Sequence, residues 1–271
     1  MYYYIIDPPK GSPTAKIAQK LQELITPMGI SGEIAIANPA RSAEELTYMG
    51  IDKGYTTIVA VGGEELANTV ATILLNESRE KIAMGIIPIN AGPLISQMVG
   101  VANNDLRAAA EIIKQRHLDL VDMVQISQKR YMLTEAYIVA PRTVKVTLDV
   151  DGRVKAELEA DYAHLSHDLV LTLQVRQPQG FLKRMMGGAP KPEQYASQFH
   201  GKQIRILAHE PLPIMIADQV VAKTPTTFTK IPGALKLITL RAILPQKGMS
   251  EIVAKNTHHH TEDPVPFASK K

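Results

Sequence analysis

Cysteine and tryptophan are both absent from the 271 residues of the chain. The lack of cysteine excludes disulfide bonds, thiolate zinc sites and a cysteine nucleophile, and it fits a reducing compartment. No apolar run approaches the roughly 20 residues that span a bilayer, and the N-terminus lacks the basic and apolar segments of a secretion signal. The formal net charge is +3 without an arginine-rich run, which gives no indication of nucleic-acid binding. We therefore expect a cytoplasmic protein that has no nucleic acid among its partners.

The first part of the chain alternates short apolar segments with segments of helical periodicity. Four segments have the composition of buried strands: Tyr2–Ile6, Glu33–Ala37, Thr57–Val61 and Ala83–Ile89. A capping box of Ser42 and Glu45 predicts the start of one helix between them, and Ser12 is predicted to cap another. This alternation predicts βαβ units and a parallel sheet.

From about residue 118 the pattern changes to segments in which apolar and polar residues alternate, as in antiparallel strands. Asp151-Gly152 lies between two such segments and predicts a hairpin turn. The predicted fold is therefore an α/β domain with flanking helices, followed by a mainly antiparallel β-sandwich. The predicted boundaries are residues 1–120 for the first domain, 121–244 for the second and 245–271 for a mobile tail.

The most informative stretch joins the third predicted strand to the helix that follows it. The strand Thr57–Val61 leads into a turn at Gly62 and Gly63, and a helix begins at Glu64. Free backbone N–H groups and the helix dipole make such a turn a ready phosphate site. Glu64 and Glu65 would repel a phosphate unless a cation lay between them, although acids in a first helical turn also simply stabilise the helix.

Several segments together resemble the catalytic domain of diacylglycerol kinases and the related sphingosine and bacterial lipid kinases. The segments that carry this resemblance are Ser42–Gly63, Met84–Ile89, Leu118–Val124 and Pro211–Leu237. The resemblance implies a phosphofructokinase-like nucleotide domain followed by a β-sandwich, with the active site in the cleft between them. It also implies ATP and Mg²⁺ as cofactors and a diacylglycerol-like hydroxyl as the phosphoryl acceptor.

The chain departs from the family pattern in all three functional motifs. The family's nucleotide loop reads Gly-Gly-Asp-Gly-Thr, whereas Gly62–Leu66 reads Gly-Gly-Glu-Glu-Leu. The family's second loop reads Gly-Thr-x-Asn-Asp, whereas Asn90–Leu94 has lost those polar groups. The family's closing Asp-Gly-Glu falls on Ala217–Gln219. Asp218 would have to replace a family acid from a position one residue away. In a strand, that shift would point its side chain to the other face.

The resemblance nevertheless assigns a role to each matching position. Glu64 and Asp218 are the predicted catalytic residues, and Glu64 is also the predicted metal ligand. The residues predicted to contact the nucleotide are Asp7, Gly62, Gly63, Glu65, Asn90 and Gly92. Asp7 is equally well explained as a turn residue that bonds its own backbone.

Three functions stay open on the sequence. The first is a diacylglycerol kinase-like protein with a degenerate ATP and Mg²⁺ site, which binds a nucleotide, a lipid or a partner in the cleft. The second is an active lipid kinase in which Glu64 holds the metal. The third is a structural subunit with a vestigial cleft, for example in a homodimer.

Two further features allow more than one interpretation. The apolar and basic segment Phe181–Met186 is typical of contact with the inner face of a membrane, or of packing on the second domain. His164 and His167 are candidate metal ligands, as are the three histidines at 258–260, although a solvated loop and a mobile tail explain them as well.

Overall fold

The computed structural model describes residues 1–77, 81–175 and 196–240. The predicted membrane-contact segment Phe181–Met186, the histidines at 258–260 and the predicted tail lie outside these residues. None of the helices within the described ranges has the length and apolarity that crossing a bilayer requires.

A four-stranded parallel sheet forms the first half of the structure. Its strands are β1 (Tyr2–Asp7), β2 (Gly32–Ile36), β3 (Thr57–Gly62) and β4 (Ala83–Pro88). The order across the sheet is β4-β3-β1-β2. Every residue of β3 and β4 is buried, as expected for central parallel strands covered on both faces.

Five helices accompany this sheet. They are α1 (Thr14–Ile25), α2 (Ala43–Asp52), α3 (Glu64–Asn76), α4 (Pro93–Val99) and α5 (Leu106–Gln115). The capping box of Ser42 and Glu45 at the start of α2 is confirmed. The predicted cap by Ser12 is wrong: Pro13 is the N-cap residue of α1, and the Ser12 hydroxyl instead accepts a hydrogen bond from the Asn90 side chain at 2.9 Å.

The second half of the structure is antiparallel, apart from one contact with the first sheet. Its strands are β5 (Leu118–Ser127), β6 (Arg130–Met132), β7 (Ala136–Val150), β8 (Val154–Leu165), β9 (Val170–Gln174), β10 (Ala196–His200), β11 (Gln203–Ala208), β12 (Pro213–Ile216), β13 (Gln219–Lys223) and β14 (Thr226–Ile238). The predicted turn at Asp151-Gly152 joins β7 to β8, and both turn residues have positive φ. The last strand returns to the first sheet, where Leu237 lies beside Met84 of β4 in parallel pairing. The predicted order of an α/β domain and then an antiparallel domain is confirmed.

Each half has its own apolar core, and the side chain of Asn68 on α3 connects the two. Its Nδ2 donates a hydrogen bond to Thr134 Oγ1 at 2.8 Å, and its Oδ1 accepts one from the Leu133 N–H at 2.8 Å. Leu133 packs in the first core, whereas Met132 and Ala136 pack in the second. Asn68 thereby fixes the N-terminal part of α3 against the segment that leads into β7.

Candidate functional site

At the turn of Gly62 and Gly63, β1 and β3 approach each other more closely than any residue with a side chain would permit. A Cβ on Gly62 would overlap the carbonyl oxygen of Asp7, the residue opposite it in the parallel pairing of β3 with β1. A Cβ on Gly63 would lie 3.1 Å from Pro9 Cγ. The turn therefore brings the carboxyl ends of β1 and β3 together, where ligands bind in open α/β sheets.

The second loop, which begins at Asn90, is closed by side chains rather than left open for a ligand. Asn104 Oδ1 accepts the backbone N–H of Asn90 at 3.0 Å, and Asn103 Oδ1 accepts that of Ala91 at 3.1 Å. Asn103 Nδ2 also donates to the Ala91 carbonyl at 2.7 Å. The backbone donors at the start of this loop are thus bonded within the protein.

The carboxylate of Glu64 lies in the space between the two loops. A Cβ on Gly92 would overlap Glu64 Oε1, so the carboxylate rests directly against the glycine backbone. Burial raises the pKa of Glu64, and the nearby charge of Glu135 raises it further. The gap that two glycine loops would offer to a phosphate is therefore occupied by an acid.

Glu65 faces the closing segment of the second half. Gln219 Nε2 donates a hydrogen bond to Glu65 Oε1, which connects β13 to the start of α3. Burial raises the pKa of Glu65, the charge of Asp7 adds to this rise, and Lys10 opposes it. Burial also raises the pKa of Asp7.

The placement of Asp218 in a strand, predicted from the sequence, is wrong. Ala217 and Asp218 form the turn between β12 and β13, with φ values of 46° and 66°. Asp and Gly both tolerate positive φ, so either residue suits such a turn. Asp218 is exposed, and within the described ranges it makes no hydrogen bond or ion pair with the other predicted site residues. Its neighbour Gln219 supplies the side chain that reaches the glycine loop.

Leu66 and Pro93, one from each loop, differ in burial. Leu66 is buried in the first core beneath Gly62, whereas Pro93 is exposed. The apolar residue that stands in place of the family's threonine thus serves packing.

A pocket of about 480 Å³ lies on the second half, close to Glu64. The six residues that line it are Glu135, Tyr137, Tyr162, His164, Thr172 and Gln174. His164 lies 3.3 Å from Glu135, whereas His167 lies 3.4 Å from Asp168. The two histidines therefore have separate partners, and no group of three or more acidic or histidine side chains suited to a metal occurs in the part of the chain that the structure describes.

The structure thus brings most of the predicted nucleotide residues together and adds others. Asp7, Gly62, Gly63, Glu65 and the pair Glu64–Gly92 meet at one edge of the sheet. The sequence reasoning missed two groups, the asparagines that bond the second loop and the aromatic residues of the pocket. The Asn103-Asn104 pair directly before the cap of α5 was a visible turn signal for the first group.

Comparison with known proteins agrees with this architecture. Residues 2–126 match the family model of the diacylglycerol kinase catalytic domain. A crystal structure of a diacylglycerol kinase from Bacillus anthracis str. Sterne superposes with a TM-score of 0.67 at 17% identity, covering 90% of this chain and 98% of that chain. A candidate diacylglycerol kinase from the same strain gives a TM-score of 0.69 at 16% identity, with 90% and 98% covered. No match was found among curated proteins.

The fold is therefore that of the diacylglycerol kinase structures on which the chain superposes. The chain is diacylglycerol kinase-like in fold, and its residues 2–126 match the model of the diacylglycerol kinase catalytic domain, in agreement with the resemblance seen in the sequence.

Proposed function

We propose that this chain is a diacylglycerol kinase-like protein that does not transfer phosphate from ATP and that uses its inter-domain cleft as a binding site. The observation that carries the proposal is the Glu64 carboxylate seated against Gly92, between the two loops. A carboxylate in that position occupies the space that a phosphate would need. It also places negative charge where a phosphate requires positive charge.

Diacylglycerol kinase domains use ATP and Mg²⁺, and the residues of this site do not suit that pair. The N–H groups of Asn90 and Ala91 already donate to asparagine side chains, so they are not free to cradle phosphate oxygens. A phosphate beside Glu64 or Glu65 would face a like charge, which costs about 4 kcal/mol at 4 Å for an effective dielectric constant of 20.

The site is also poorly suited to hold the metal that could offset this repulsion. Phosphoryl transfer needs metal ions that bridge phosphate oxygens, held by well-placed ligands. Glu65 accepts a hydrogen bond from Gln219, which stands at a position where the family has an acid. Asp218 lies in an exposed turn. These residues therefore do not support phosphoryl transfer from Mg-ATP.

An assay of ATP turnover tests this proposal. The purified chain, incubated with Mg-ATP and mixed micelles of diacylglycerol, is expected to release no more ADP than micelles without protein. Glu64→Ala is expected to leave that background unchanged, because Glu64 has no catalytic role in this account. Turnover of the wild-type protein that Glu64→Ala abolishes would establish the alternative, an active lipid kinase in which Glu64 holds the metal.

A further inference from the structure

Pairing across β7, β8 and β9 builds the pocket near Glu64. Tyr137 lies opposite His164, and His164 lies opposite Thr172. Tyr162 lies opposite Gln174 in the neighbouring row. Because side chains alternate between the two faces of a strand, these five residues share one face of the sheet.

The other face of the same strands packs in the second core. The alternating residues there include Ala136, Ile138, Ala163, Leu165 and Leu171, and all of them are buried. The core thereby holds the backbone rigid beneath the pocket. All six residues that line the pocket are half-buried, which distinguishes this face from an ordinary solvated one.

Aromatic rings and one carboxylate dominate the pocket. The ring of Tyr137 lies 5.1 Å from that of His164, in a stacked arrangement, and 6.2 Å from that of Tyr162. The Tyr137 hydroxyl donates to Glu135 Oε2 at 2.5 Å, and His164 Nε2 lies 3.3 Å from the same oxygen. Both contacts use Oε2, which leaves Glu135 Oε1 for a ligand.

We propose that this pocket binds a small organic cation, a protonated amine or a quaternary ammonium group, held by the rings of Tyr137 and Tyr162 and by the carboxylate of Glu135. Aromatic faces attract ammonium groups, and a carboxylate beside them adds charge complementarity. The proposal rests on the function proposed above, because it takes the cleft to be a binding site that is not filled by Mg-ATP.

The charges around the pocket favour a cation over an anion. None of the six lining residues is lysine or arginine. Glu64 lies close enough for the charge of Glu135 to raise its pKa, so a second carboxyl group lies near the pocket. A bare metal ion fits less well, because Glu135 is the single carboxylate among the lining residues.

Calorimetric titration with choline tests the proposal. We expect choline to bind saturably. Its neutral analogue of the same shape, 3,3-dimethylbutan-1-ol, should bind at least about tenfold more weakly. It lacks the cation–π contribution, and tenfold corresponds to about 1.4 kcal/mol. Glu135→Gln keeps an acceptor for Tyr137 and should weaken choline binding about tenfold, and Tyr162→Leu should do the same through loss of a ring. Glu157→Gln, an exposed acid further along β8, is the matched control and should leave choline binding unchanged.

Co-sedimentation with vesicles distinguishes a lipid headgroup from a free small cation as the ligand. Co-sedimentation with phosphatidylcholine vesicles but not with phosphatidylglycerol vesicles, lost in Glu135→Gln, would support a lipid headgroup as the ligand. Choline binding without co-sedimentation would support a free small cation. Equal binding of choline and its neutral analogue, or no binding of choline and no co-sedimentation by a wild-type protein with an intact melting transition, would overturn the proposal.

These outcomes are separable from those of the turnover assay. ATP turnover would overturn the proposed loss of kinase activity, yet the choline titration would still report on Glu135. Failure of choline to bind, with no ATP turnover, would contradict the proposed cation site. It would not affect the proposed loss of phosphoryl transfer.

Discussion

Asn68→Ala is expected to lower the free energy of unfolding by about 2–4 kcal/mol, since it leaves two buried polar groups without a partner. Asn68 is 7% exposed and Thr134 is 1% exposed. Removing the amide takes the donor from the Thr134 hydroxyl and the acceptor from the Leu133 N–H. Urea unfolding of the two proteins measures the difference.

Asn76→Ala provides the matched control on the same helix. Its side chain donates to the Lys129 carbonyl at 3.0 Å in an exposed setting, so its loss should cost less than about 1 kcal/mol. Equal effects of the two substitutions would contradict the role assigned to Asn68 in joining the two halves.

The double substitution of Glu64→Gln and Glu65→Gln is expected to raise the affinity for Mg-ATP at least about tenfold. The reason is that it removes two charges next to the phosphate position, each opposing the ligand by about 1 kcal/mol or more even in a high-dielectric setting. A thermal-shift titration compares the double variant with the wild-type protein. Turnover should remain absent, because the donors of Asn90 and Ala91 stay bonded to asparagines.

Glu44→Gln is the control for this experiment. Glu44 is likewise an acid in a first helical turn, but it lies on α2 and is exposed. Its substitution should leave the nucleotide titration unchanged. Unchanged affinity in the double variant would show that charge at Glu64 and Glu65 is not what opposes the nucleotide.

Local signals made most of the fold predictable. The buried runs at Thr57–Val61 and Ala83–Ile89 have the composition of central parallel strands, and Ser42 with Glu45 marks a helix start within four residues. The pair Asp151-Gly152 likewise requires only its own backbone preferences to set a turn. The glycine turn was predictable for the same reason, because the close approach at Gly62 demands a residue without a Cβ.

Contacts between distant segments were not predictable in this way. The bond from Asn90 to Ser12 spans 78 residues, and the bond from Gln219 to Glu65 spans 154. The pocket needs the registers of three strands, since it depends on Tyr137 lying opposite His164. Asp218 was misplaced because a strand was assumed to continue through Ala217, where the backbone instead turns with positive φ.

Calorimetric titration of the wild-type protein with Mg-ATP asks directly whether the acids between the two glycine loops exclude the nucleotide. We predict no saturable heat at nucleotide concentrations in the millimolar range. Stoichiometric binding of Mg-ATP in the micromolar range, lost when Glu64 is replaced by alanine, would contradict the claim and assign Glu64 to nucleotide binding.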